Sequence, residues 1–164
     1  MDSSLLGVHY SQQAPKAVGP YPHVRRVGPF LFLSGIGPRA RGQTHIPGVE
    51  LHATTKEILS YNFEVQCRQV FHNVNILLEE CGSHLHSLVD ITVFLTNMKE
   101  DFPLYNRLYE EFVGSSPTPP ARTTVEVTAL PTPIAIELKC LAMIGSYSFE
   151  QQQYSNHQQK LTQW

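Results

Sequence analysis

The sequence predicts an α+β domain whose elements run strand, strand, helix, strand, helix, strand, strand, folded as one mixed sheet with two helices on one face. Three observations carry that prediction. Residues 121–127 and 134–140 alternate apolar and polar side chains, the signature of strands with one buried and one open face. Two longer stretches, from Asn62 and from Asp101, repeat apolar residues at helical spacing. Residues 30–34 form an apolar run of strand length, and 164 residues are enough for one domain with a real core.

Residues 1–15 read as a loose arm, with Ala14-Pro15 marking where the fold begins. The first strand lies within residues 21–27, between Gly19-Pro20 and Gly28-Pro29, and its proline falls near the start, where a missing N–H is tolerated. The Gly28-Pro29 turn leads into Phe30-Leu31-Phe32-Leu33-Ser34, which suits a central strand covered on both faces, and the two strands should pair as a hairpin. Gly35-Ile36-Gly37 follows directly. Glycine there lets the backbone approach a ligand closely and offer its N–H, although an ordinary turn is an equal reading. Residues 36–60 read as an insert loop, most plainly irregular from Pro38 to Lys56. Arg39 and Arg41 in that loop are either solvated charges or cations for a second carboxylate.

The first helix starts near Asn62 and buries Phe63, Val70, Val74, Leu77, Leu78 and Cys81, with Gly82 as its stop. Cys67 and Cys81 belong to this helix pattern and read as core. His84-Leu85-His86 has no third ligand at a persuasive spacing, so no metal is expected. A strand over residues 88–96 follows. Asp101 then reads as an N-cap, with Pro103 early and Gly114 at the end, and Phe102, Tyr105, Leu108, Tyr109 and Phe112 form the buried stripe. Pro117, Pro119 and Pro120 stiffen the approach to the last two strands.

With Leu130-Pro131-Thr132-Pro133 as a connector, these two strands read as an antiparallel hairpin. Val125, Val127, Ala129, Ile134, Ile136, Leu138 and Cys140 would form its core face. Arg122, Thr124, Glu126, Thr128, Glu137 and Lys139 would share an open, charged face, with Arg122 and Glu137 roughly 13 Å apart along the strands at about 3.3 Å per residue. A guanidinium fork suits a carboxylate, and a carboxyl flanked by Ile136 and Leu138 suits proton exchange near neutral pH. Solvent-exposed strand residues are the plain alternative for both.

Hydrophobic content of 41%, charged content of 16% and a net charge of −2 give no electrostatic reason to expect nucleic acid or an anionic membrane. No run approaches the roughly 18–20 apolar residues of a spanning helix. The first eight residues lack the pattern of a signal peptide, and Cys67, Cys81 and Cys140 follow no disulfide or metal spacing, so a reducing cytoplasmic location is expected. Residues 146–164, rich in glutamine and poor in aliphatic residues, read as a flexible tail.

Gly19-Pro20-Tyr21, Phe30-Leu31-Phe32-Leu33-Ser34-Gly35, Tyr105-Asn106 with Tyr109 and Phe112, Pro120-Ala121-Arg122 and Ile136-Glu137, in that order, resemble the Rid family of enamine and imine deaminases. Within it, Pro22-His23-Val24-Arg25-Arg26, Arg122-Thr123-Thr124-Val125, Leu130-Pro131-Thr132-Pro133 and Ile136-Glu137-Leu138-Lys139 most resemble the 2-aminomuconate deaminases. The resemblance implies a single chorismate-mutase-like domain over residues 16–145, a barrel-like homotrimer with ligand sites between subunits, and no cofactor. It implies hydrolysis of 2-aminomuconate to 2-oxohex-3-enedioate and ammonia. Alternatives are a general 2-iminoacid (2-aminoacrylate) deaminase and a non-catalytic trimer that binds a small molecule or a protein.

By the same resemblance, Arg122 clamps the α-carboxylate and Glu137 positions water and exchanges protons. Gly35 and Thr124 complete the cradle through their backbones, Tyr21 contacts the ligand from the cleft wall, and Asn106 supports the site. Many relatives carry Gln at the position of Ile36 and Cys at that of Thr124, so neither side chain enters the expected mechanism. A distal carboxylate would need a further cation, for which Arg39, Arg41, Arg25, Arg26 and Lys139 are unranked candidates.

Overall fold

The computed structural model describes residues 6–114, 116 and 118–145. Its strands are β1 Leu6–His9, β2 Val24–Val27, β3 Phe30–Leu33, β4 Val49–Leu51, β5 Ile58–Tyr61, β6 Leu88–Leu95, β7 Ala121–Glu126 and β8 Ile136–Met143, and its helices are α1 Phe63–Glu80 and α2 Met98–Val113. The two helices form where the apolar periodicity places them. The Asn62 side chain caps α1 by accepting from the Val65 N–H, and Gly82 follows its end with φ +69°. At the other helix the cap lies a turn earlier than expected. Asn97 accepts from the Glu100 N–H, the Glu126 carboxylate accepts from the Met98 N–H at 2.7 Å, and Asp101 is inside α2. Asp101 is buried there and accepts from the Tyr61 hydroxyl at 2.8 Å, a link from β5 to α2.

One sheet holds six strands in the order β1-β2-β3-β8-β6-β7, and β4 and β5 form a separate two-stranded sheet. All pairings in the large sheet are antiparallel except β6 with β7. The expected β7–β8 hairpin is therefore corrected, because β6 lies between the two strands. The crossover through α2 returns β7 parallel to β6, as parallel pairing requires, and the connector after Glu126 carries the chain across to the far edge of β6. Alternation reveals that a segment is a strand, but not which strand it pairs with.

The insertion also reassigns the faces. On β8 the reading holds: Ile136, Leu138 and Cys140 are buried under the helices, while Glu137 and Lys139 point to the open face. On β7 it is inverted. Arg122 pairs with Ile91 and Thr124 with Val93, both buried on the helix side, and Val125 pairs with Phe94 beside Glu137 on the open side. Arg122 and Glu137 thus occupy opposite faces of one chain's sheet.

β3 is covered on one face only, a second correction. Leu31 and Leu33 are buried, and Phe30 and Phe32 are exposed. The open face is not chiefly charged, because Leu6, Val8, Val27, Phe30 and Phe32 make an exposed apolar band at its β1–β3 end.

Residues 6–15 are not loose. β1 pairs with β2, Ser11 and Ala14 are buried, and His23 bridges to the segment by accepting from the Ser11 N–H at 3.0 Å and contacting the Pro15 carbonyl at 2.8 Å. The expected insert loop contains the β4–β5 hairpin. The remainder of the arm at 1–5, the tail at 146–164, and Ser115 and Pro117 lie outside the described residues.

Cys67, Val70, Val74, Leu77 and Leu78 from α1 and Tyr105 and Leu108 from α2 pack over Ile91, Val93, Leu95, Leu138 and Cys140. Burial pushes the Cys67 and Cys140 thiols up to about 12, so both are inert apolar fillers at neutral pH. Gln66 of α1 is fully buried and accepts from the Ala135 N–H at 2.8 Å, which fixes the entry to β8. Replacing Gln66 with Met orphans that N–H. Urea unfolding at fixed protein concentration should show a loss of about 1–3 kcal/mol.

Candidate functional site

β8 carries Glu137 onto the open face opposite Phe94. Next to β8, Ile36 exchanges backbone hydrogen bonds with Leu138 at 2.8 and 2.9 Å, which draws the exit of β3 alongside. Gly35 lies one residue earlier, and a Cβ built there would come within 2.8 Å of the Glu137 carboxyl carbon. Glycine is needed because the carboxyl occupies the space of its missing side chain. The Glu137 carboxyl is half-buried, and burial raises it above the ordinary carboxylate range. The fold therefore brings Gly35 and Glu137 together.

Tyr21 belongs to the same region. Its N–H bonds the Gly19 carbonyl at 2.9 Å, its ring lies over Gly19, and with Ser34 and Gly35 it borders a cavity of about 40 Å³. The Ser34 hydroxyl donates to the Pro22 carbonyl at 2.7 Å and so pins this edge.

Arg122 and Thr124 form a second cluster on the helix side of edge strand β7. The Arg122 guanidinium carbon lies 4.6 Å from the Tyr109 ring centre, 5.4 Å from Tyr105 and 5.8 Å from Phe102. This three-ring platform holds the cation by its face and leaves the donor edges of the fork open, since no carboxylate pairs with it among the described residues. The Thr124 hydroxyl and the Tyr105 hydroxyl are buried nearby without a hydrogen-bond partner among those residues. Burial raises the phenols of Tyr105 and Tyr109, which stay neutral. Asn106 sits half-buried on α2 one residue after Tyr105, and among the described residues no hydrogen bond ties it to either cluster.

The sequence treats Tyr105 and Tyr109 as core alone, although their i, i+4 spacing beside an unpaired strand arginine is the signal of a stacking platform. Among the cations, Arg26 donates to the Gly28 carbonyl at 3.0 Å, and Arg25 and Lys139 are exposed on the open face. Arg39 and Arg41 border a separate cleft with Lys16. Among the described residues no three His, Cys, Asp or Glu side chains converge to hold a metal, and no helix is long and apolar enough to cross a membrane.

The family model described as Endoribonuclease L-PSP matches residues 11–144, a span that includes Tyr21, Gly35, Asn106, Arg122, Thr124 and Glu137. This chain belongs to the Rid/RutC family. A RutC family protein of Pyrococcus abyssi is 35% identical over 135 residues, 82% of this chain and 94% of the relative. Among solved structures, the Rid family protein YyfA of Yersinia pestis is 28% identical with a TM-score of 0.69, covering 85% of this chain and 99% of that one. TdcF of E. coli, solved with bound serine, is 27% identical with a TM-score of 0.68 over the same shares. The Rid/RutC fold is thus the α+β arrangement described above.

A carbon-detected NMR titration should place the Glu137 midpoint above 4.5, the ordinary glutamate value. Phe94→Ala, which opens the wall beside it, should move the midpoint back toward that value. A carboxyl whose folded pKa is raised favours folding below its unfolded pKa, and this contribution is lost as pH rises through the folded pKa. The Phe94→Ala variant should lose part of that dependence.

Proposed function

We propose that the protein is a hydrolytic deaminase of enamine and imine acids, and that 2-aminomuconate is its substrate. The observation that carries the reading is the Glu137 carboxyl, raised by burial and seated against the Gly35 backbone. The Rid family is one of imine and enamine deaminases in general, which supports the reaction class. An enamine of an α-amino acid tautomerises to the imine, water adds to the imine carbon, and ammonia leaves to give the 2-oxo acid. Glu137 as the carboxylate takes a proton from water and as the acid returns it to departing nitrogen. Arg122 grips the α-carboxylate through the free edge of its fork.

Within one chain these two groups lie on opposite faces, so a site that uses both must combine two subunits. Arg122 sits on an edge strand and the exposed band of Leu6, Val8, Val27, Phe30 and Phe32 needs cover, which supports a closed homotrimer in which Arg122 of one subunit meets Glu137 of the next. Gly35, Tyr21 and the Thr124 backbone line the cleft in this arrangement, and Asn106 supports the Arg122 side.

One observation favours a second substrate reading. The bound serine in the E. coli TdcF structure is a small amino acid with one carboxylate, which supports a general 2-aminoacrylate deaminase. An RNA-cleaving role has less support, since a net charge of −2 is poorly suited to phosphate neutralisation.

Loss of dienamine absorbance with parallel ammonia release tests the proposal on both substrates. Arg122→Ala should raise KM about 10- to 150-fold, and Glu137→Gln should lower kcat about 10²- to 10⁴-fold. Coexpressing the two variants should restore about a quarter of wild-type turnover by random assembly, because some sites regain both groups; absence of any recovery would place both groups in one subunit or outside the mechanism. Tyr109→Leu should raise KM about 2- to 30-fold while Tyr109→Phe stays near wild type, which separates cation–π stacking from the hydroxyl.

A further inference from the structure

The chain that leaves Gly35 is fixed in place by α1. The buried Asn73 side chain donates to the carbonyls of Gly37 at 2.9 Å and Arg39 at 2.8 Å. The Arg39 guanidinium donates to the Lys16 carbonyl and that of Arg41 to the Ala14 carbonyl, holding residues 39–41 against the segment at 14–16. Between them opens a cleft of about 530 Å³ with Thr132 and Pro133 as a further wall. Lys16, Arg39, Arg41 and His45 line it, and no acidic residue does. In a chain of net charge −2, this concentrates positive charge in one concave place. A guanidinium has five N–H donors, so one bond to a carbonyl leaves most of each fork for an anion.

Both segments that bound the cleft run directly to the proposed reacting centre. Arg39 follows Gly35 by four positions, the two also border one small cavity with Tyr21, and Pro133 precedes Glu137 by four. We propose that this cleft is a subsite for a second carboxylate, making the enzyme selective for dicarboxylic enamines through Lys16, Arg39 and Arg41. The proposal rests on the deaminase reading and names its substrate class. Arg25, Arg26 and Lys139 do not line this cleft, whereas Lys16, Arg39 and Arg41 do.

Muconate and sorbate test it directly, because both are six-carbon dienes and differ in one terminal carboxylate. Calorimetry should show wild type binding muconate at least about tenfold more tightly than sorbate, equivalent to about 1.4 kcal/mol. In Lys16→Met/Arg41→Ala the preference should shrink to about threefold or less with sorbate affinity unchanged. If that double variant does not fold, Lys16→Met alone gives the test, since the Lys16 side chain makes no hydrogen bond among the described residues and its substitution should reduce the preference by itself. Equal binding of the two acids by wild type, a preference that survives the substitutions, or its loss in Lys139→Met instead would overturn the subsite. A muconate preference that persists in a protein turning over neither enamine would overturn the deaminase reading and leave the subsite standing.

Discussion

β6 pairs with β8 along one edge and with β7 along the other, and these two ladders fix where every candidate group points. The antiparallel ladder sets Glu137 opposite Phe94 and so on the open face. The parallel ladder sets Arg122 opposite Ile91 and so under α2, where three aromatic rings receive its guanidinium. A slip of one residue in the β6–β8 ladder would turn Glu137 and Lys139 toward the helices and expose Ile136, Leu138 and Cys140. The core thus enforces the register, and the register enforces the separation of acid from cation.

Within one chain, the sheet keeps the Glu137 carboxyl, raised by burial, from pairing with Arg122. Stacking on Tyr109 and Tyr105 orients the guanidinium without occupying its hydrogen-bonding edges, which an ion pair would do. The exposed apolar band on the open face is costly in an isolated chain, and the proposed trimer would cover it.

The anchors around the cleft follow a common pattern. Gln66 holds the entry to β8, Asn73 holds the exit from β3, and both reach from buried positions on α1. One helix therefore sets the backbone on both sides of Glu137 and Gly35. Buried amides suit this task because leaving a backbone N–H or carbonyl unpaired there costs more than fixing the side chain.

Both helices and the helix-facing side of β8 were legible in the sequence, because apolar spacing lies within a few neighbouring residues. Glu137, Arg122 and Gly35 were legible there as candidates, from a carboxyl between two aliphatic side chains, a strand arginine and a glycine after a strand, and Tyr21 through the family resemblance. The partner of β7, the inverted faces of Arg122 and Thr124, the aromatic platform and the ordering of residues 6–15 rest on contacts between distant segments. Alternation has the same period whether a strand pairs to its left or its right, so no local pattern chooses between a hairpin and a crossover. The sequence by itself determined which residues build strands and helices and which groups are candidates for chemistry. Only the tertiary structure decided which face each group occupies, because strand order is settled by the packing of the whole core, with β6 between β8 and edge strand β7.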